Sequence, residues 1–93
     1  MQRVLIYALA GVDRAGLFAK RRMLVLTDAP RLFYIDPQSL AVMGEVPWTA
    51  ELKAQYKTPK TFFIHTPDRT YYLDDVEKQA ITWVDAIQKV LRM

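Results

Sequence analysis

The sequence predicts a mainly-β fold: seven short antiparallel strands curled into a small barrel or orthogonal sandwich, capped by one C-terminal α-helix. Three observations carry that prediction. Short runs rich in Val, Leu, Ile, Phe and Tyr recur from residue 3 to residue 73, punctuated by Gly, Pro, Asp and Thr. Helical periodicity is confined to the end of the chain, where Val76, Ala80, Trp83, Val84, Ile87, Val90 and Leu91 form one apolar stripe. The whole chain, residues 1–93, is one domain with a single core. A curled sheet loses its open edges, and a last helix covers the apolar side chains left at one end.

Taken in order, residues 3–10 form a first strand on their Val, Leu, Ile and Tyr content. Residues 11–16 form a loop with a glycine at each end. A second strand runs over residues 19–26, and the Thr27-Asp-Ala-Pro30 turn leads to a third strand, residues 31–35, stopped by Asp36-Pro37. Residues 39–46 make a fourth, with a bulge or bend at Gly44. Residues 47–59 read either as a short strand around 50–53 followed by a loop, or as a helical turn. Residues 60–65 and 70–73 are the arms of a hairpin turned at Thr66-Pro-Asp-Arg69. Asp74-Asp75 then starts the helix, with Asp75 as its cap, Glu77 near its positive end and Lys89 and Arg92 near its negative end.

Charge is distributed unevenly. The net charge is +3, but residues 1–22 hold Arg3, Arg14, Lys20, Arg21 and Arg22 against Asp13 alone. Positive potential gathered at one end of a chain favours a localised anionic partner. The chain has no cysteine, which excludes disulfides and thiolate metal sites and fits an intracellular protein. No apolar run is long enough for a membrane span. No phosphate-cradling glycine loop, nucleophile elbow or metal cluster is present, so neither catalytic nor metal-binding residues are assigned, and no cofactor. Nucleic-acid binding is disfavoured, because no aromatics interleave with the basic run as stacking platforms.

The second strand carries the densest chemistry. Side chains alternate along a strand, so Lys20 and Arg22 share a face with Leu24 and Leu26, while Arg21 shares the other with Met23 and Val25. If the leucines face the core, two long cations stand at its lip beside a basic loop, an arrangement that holds an anion. The alternative is a solvated strand end, with Arg21 on the surface or against anionic lipid.

At Val12-Asp-Arg14, Gly16-Leu-Phe-Ala-Lys-Arg-Arg22, Tyr34-Ile-Asp-Pro37, Gly44-Glu-Val-Pro-Trp48 and Lys60-Thr-Phe-Phe-Ile-His-Thr-Pro-Asp-Arg-Thr-Tyr-Tyr-Leu73, the chain resembles a known family. It is similar there to the C-terminal pleckstrin-homology (PH) domain of the 3-phosphoinositide-dependent protein kinases. The resemblance covers nearly the full length, and the long block 60–73 is its most specific part.

It implies a PH domain over residues 1–93, excised from a longer Ser/Thr kinase. The implied ligands are phosphoinositide lipids or soluble inositol polyphosphates, with recruitment from the cytoplasm to the plasma membrane as a peripheral protein. The implied phosphate contacts are Arg14 in the loop, Lys20, Arg21 and Arg22 in the second strand, Tyr34 in the third and Arg69 in the late hairpin. Two departures stand out. The loop is a residue shorter, with Ala15 where the family is more basic, and Met43 replaces a binding lysine.

Several of these residues have a second reading. Tyr34 packs in part on the core, and Arg69 pairs with Asp68 or Asp74 instead of a phosphate. Trp83 is a core anchor, Trp48 is structural, and His65 satisfies a turn. The alternative function is a PH-fold module for protein interaction or autoinhibition, with the parent kinase domain as a possible partner.

Overall fold

The computed structural model describes residues 2–13 and 20–93. Seven strands precede one helix: β1 (Val4–Asp13), β2 (Lys20–Thr27), β3 (Arg31–Ile35), β4 (Val42–Val46), β5 (Lys53–Tyr56), β6 (Thr61–His65), β7 (Thr70–Asp75) and α1 (Ala80–Leu91). All pairings are antiparallel, in one sheet of order β4-β3-β2-β1-β7-β6-β5. One core cluster draws Leu24, Leu32 and Val46 from one half of this sheet and Phe62, Ile64 and Leu73 from the other. The sheet must therefore curl so that both halves face a shared interior. The expected fold class, a PH-like curled β-sheet with one C-terminal helix, is the one observed.

Several strand boundaries, and the position of the bulge, differ from the sequence reading. β1 extends past Ala10 through Gly11, Val12 and Asp13, because Val12 bridges two neighbours, pairing with Lys20 of β2 and Leu73 of β7. β4 begins at Val42, since residues 36–41 are closed into a turn by Leu40 N–H to Asp36 O (2.8 Å) and Asp36 N–H to Ala41 O (2.9 Å). The bulge precedes Gly44: Tyr34 pairs with Gly44 and Ile35 with Val42, leaving Met43 as the extra residue. β5 lies at Lys53–Tyr56, later than residues 50–53, because the chain first turns at Thr49 to bury Leu52.

The helix supplies the apolar lid. Ala80, Trp83, Val84, Ile87 and Val90 are buried along its inner side, which packs chiefly on β5 and also on β6 and β1. Trp83 is fully buried and lies nearly parallel to Phe62, with ring centroids 6.0 Å apart. Val76 lies outside the helix and is exposed, so the stripe begins at Ala80. Asp74 and Asp75 belong to β7, not to the helix start. The N-cap is Gln79, and the buried Asp75 carboxylate accepts the backbone N–H of Glu77 (2.9 Å) and Gln79 (3.1 Å), fixing the turn that leads in. No helix of the described residues is long and apolar enough to cross a membrane.

The ends of the curled sheet are now distinguishable. Thr61 pairs with Asp74 and Ala80 N–H reaches Pro59 O, so α1 starts at the end that carries the β5–β6 turn. The β6–β7 turn lies at the opposite end. Asp13 pairs with Tyr72, so the segment leaving β1 for β2 departs at that opposite end too. Met23 pairs with Ile35, which puts the β3–β4 turn beside the start of β2. The β3–β4 and β6–β7 turns therefore lie at one mouth with the end of β1 and the start of β2, away from the helix.

Candidate functional site at the mouth of the sheet

β2 delivers two cations to this mouth. Lys20 lies across from Val12 and Arg22 across from Ala10, and both partners belong to the core, as do Leu24 and Leu26 further along the strand. Lys20 and Arg22 thus share the inward face. Arg21 pairs with Gly11 and alternates to the outer face with Met23 and Val25. The alternation is not a clean inside-outside pattern, for Val25 is also buried, between Tyr7 and Phe33 of the adjacent strands. Arg14 lies outside the described residues, as do the two loop positions that follow it.

Arg22 is half-buried and has an anionic neighbour that the sequence reading missed. Its Nη1 stands 4.0 Å from Asp36 Oδ2, and the Arg22 side chain is 17% exposed. Asp36 follows Tyr34 by two residues on the same strand face, a spacing that was legible but unused. Hydrogen bonds from the Ser39 and then the Gln38 amide hold the Asp36 carboxyl below its ordinary value, with a smaller contribution from Arg22. Its charge is thus committed mostly to shaping the β3–β4 turn. At 4.0 Å its hold on Arg22 is loose, and Lys20 has no ion pair among the described residues.

Beside these cations lies a pocket of about 320 Å³, within the size range of small-molecule sites. One wall is Tyr34 and the β4 residues Met43, Gly44 and Glu45, continued by Pro47. The other is the β6–β7 turn, Thr66, Asp68 and Arg69, with Tyr71 behind it. The pocket thus joins Tyr34 and Arg69, distant in sequence, and places Met43 against them. Lys20 and Arg22 are not part of its wall. Arg22 stands one same-face position beyond Leu24, the strand partner of Tyr34, and so about 7 Å along the sheet from that pair.

Each wall has a local cause. The bulge turns Met43 toward the pocket, a use of bulges common beside binding sites. Gly44 leaves room for Tyr34, whose ring lies across it so closely that a Cβ there would overlap the phenol. Tyr34 packs on the core and lines the pocket at once, so both readings of it hold. Gly44→Ala is expected to displace Tyr34 and to cost about 1–3 kcal/mol by overpacking. An unchanged urea midpoint would show that the ring yields freely.

The hairpin turn is fixed by Thr66, whose hydroxyl donates to Arg69 O (2.8 Å) and accepts Arg69 N–H (3.2 Å). Arg69 pairs with neither acid proposed for it: Asp74 accepts the Thr61 hydroxyl at 2.7 Å, and Asp68 lies beyond ion-pair reach. Glu45 borders the pocket but spends its carboxylate on Arg31, through bonds of 3.0–3.1 Å. That partnership raises the Arg31 pKa. His65 bridges strands rather than closing a turn, with Thr70 Oγ1 at 2.9 Å and Gln55 Oε1 at 2.7 Å. Trp48 packs on the core edge, as a structural residue does.

Chemically, the mouth offers ammonium and guanidinium groups on β2, a third cation at Arg69, and a phenol between them. Such donors suit a compact polyanion: guanidinium grips oxygens as a fork and ammonium acts as a point charge.

Comparisons with known proteins agree with the fold. A family pattern described as "PH domain" matches residues 3–93. Over 89 residues the chain is 51% identical to 3-phosphoinositide-dependent protein kinase 1 of Homo sapiens, a match covering 95% of this chain and 16% of that protein. The protein of the same name from Caenorhabditis elegans is 53% identical over 77 residues, 83% of this chain and 12% of the relative. In Dictyostelium discoideum, 3-phosphoinositide-dependent protein kinase B is 39% identical over 77 residues, 83% of this chain and 8% of its own length. The chain thus corresponds to a small part of each of these kinases. With seven antiparallel strands, a C-terminal helix and a family match over nearly its whole length, the chain belongs to the PH domain family and is homologous to the PH domain of 3-phosphoinositide-dependent protein kinase 1.

Proposed function

We propose that this PH domain binds polyphosphorylated inositol headgroups and so recruits a cytoplasmic Ser/Thr protein kinase to the plasma membrane. The observation that carries the reading is the convergence at one mouth of Lys20 and Arg22, on the inward face of β2, with the pocket that joins Tyr34 to Arg69. Adjacent ring phosphates need several donors within one headgroup's width, and these side chains supply them. Arg14, which follows β1 in the sequence, is included in this reading as a further phosphate contact. Arg21 points outward and contacts anionic lipid at most.

Vesicle sedimentation tests the reading. Vesicles carrying a polyphosphorylated phosphoinositide should retain the domain better than vesicles matched in charge with phosphatidylserine. Equal retention on both would reduce the effect to attraction between a basic surface and anionic lipid, worth about 1 kcal/mol per basic residue. No retention on either would favour the protein-interaction alternative.

A further inference from the structure

The two sides of the mouth differ in charge. On the β2 side, Lys20 and Arg22 share the inward face, and only Arg22 has an acid near it, Asp36, whose carboxylate is largely taken up by the Ser39 and Gln38 amides. The pocket wall at the β6–β7 turn instead carries one cation and one anion, Arg69 and Asp68, adjacent and both exposed. They do not pair with each other, although Thr66 holds the turn on which both stand. Across from them, Tyr34 and Met43 contribute a phenol and a thioether, with no charge.

A wall of this composition does not suit two neighbouring phosphates. The second would meet a carboxylate and a thioether, with no further cation in that wall among the described residues. It does suit a phosphate beside a free hydroxyl, for guanidinium donates to the first and carboxylate accepts from the second. Specificity built in this way rests on a repulsive group as much as on an attractive one.

We infer that Arg69 and Asp68 together read a phosphate flanked by a free hydroxyl, so that the domain selects incompletely phosphorylated inositol rings and rejects the fully phosphorylated one. The inference rests on the headgroup reading above and names which member of that class the site takes. Asp68 is the discriminating residue, and Met43 withholds the cation that a further phosphate would need. A consequence follows for competition at the membrane. A lipid headgroup keeps free hydroxyls, whereas soluble inositol hexakisphosphate has none, so the soluble ligand does not displace the domain from the lipid.

Calorimetry on the wild-type domain, Asp68→Asn and Glu77→Gln tests this, using an inositol tetrakisphosphate with two free hydroxyls and inositol hexakisphosphate. Glu77 is exposed just past the far end of β7 and controls for loss of any acid. Wild type should bind the tetrakisphosphate about tenfold or more tighter. Asp68→Asn should strengthen hexakisphosphate binding by about fivefold or more and change the tetrakisphosphate by about twofold or less, since Asn still accepts a hydroxyl. Glu77→Gln should leave the ratio alone.

On vesicles carrying a phosphoinositide, excess hexakisphosphate should release Asp68→Asn and leave the wild type bound. Hexakisphosphate binding as tight as the tetrakisphosphate on wild type overturns the inference. So does an equal gain for both ligands in Asp68→Asn, which would reduce Asp68 to a general charge effect. Those outcomes leave headgroup binding itself standing. Absence of binding to both ligands and to phosphoinositide vesicles removes the headgroup reading as well.

Discussion

Trp83→Ala is expected to remove about 3–5 kcal/mol of stability. Trp83 is fully buried, stacked on Phe62, and central to the stripe Ala80, Val84, Ile87 and Val90 that joins α1 to the sheet. Truncation loses the transfer free energy of the indole and leaves a cavity between helix and sheet that a rigid curled sheet cannot close. Domains of this kind are stable by about 5–15 kcal/mol, so the variant would be marginal.

A second variant separates packing from polarity. The Trp83 Nε1–H is buried without a hydrogen-bond partner among the described residues. Trp83→Phe keeps an aromatic on Phe62 and removes that orphan donor, whose burial costs about 1–3 kcal/mol. It should therefore lose much less than Trp83→Ala. Urea denaturation followed by Trp48 fluorescence measures both. Little loss in Trp83→Ala would overturn Trp83 as the anchor of the helix.

Arg22→Ala and Lys20→Ala should each weaken inositol polyphosphate binding by about tenfold or more, the effect of deleting one charge-assisted contact. Arg21→Ala should change it far less, because Arg21 lies across from Gly11 on the outer face. The loose Arg22–Asp36 pair does not compete strongly, since it stands at 4.0 Å and the Asp36 carboxylate is held mainly by the Gln38 and Ser39 amides. For the same reason Arg22→Ala should fold normally, so that lost binding is not lost structure. Met43→Lys places a cation in the pocket wall and should strengthen binding. Calorimetry on the four variants decides: if Arg21→Ala is as damaging as Arg22→Ala, headgroup binding does not use the inward face of β2. If wild type gives no heat and Met43→Lys restores none, the pocket is vestigial.

Much of this was legible in the chain itself, wherever the signal is local. Seven strands, one terminal helix and the stripe from Ala80 to Val90 follow from the recurrence of apolar residues, because side-chain direction repeats every two residues in a strand and every 3.6 in a helix. The shared face of Lys20, Arg22, Leu24 and Leu26 follows from the same rule, and register bears it out. The long motif from Lys60 to Leu73 was specific enough to name a family.

Other features were set by pairing between distant segments, which no local pattern encodes. Gly11, Val12 and Asp13 read as loop, yet they are strand because β7 returns to pair with them. Asp75 read as a helix cap; burial at the end of β7 makes it the clasp of the turn before the helix. The Met43 bulge exists only as a mismatch of register between β3 and β4. Asp36 became the neighbour of Arg22 because β3 runs back along β2, and Asp68 became a pocket wall because the β6–β7 turn folds over toward Tyr34. Sequence periodicity determined which way each side chain points along its own strand. Tertiary closure of the sheet decided which charges meet across the mouth, since that depends on register and curl rather than on any one segment.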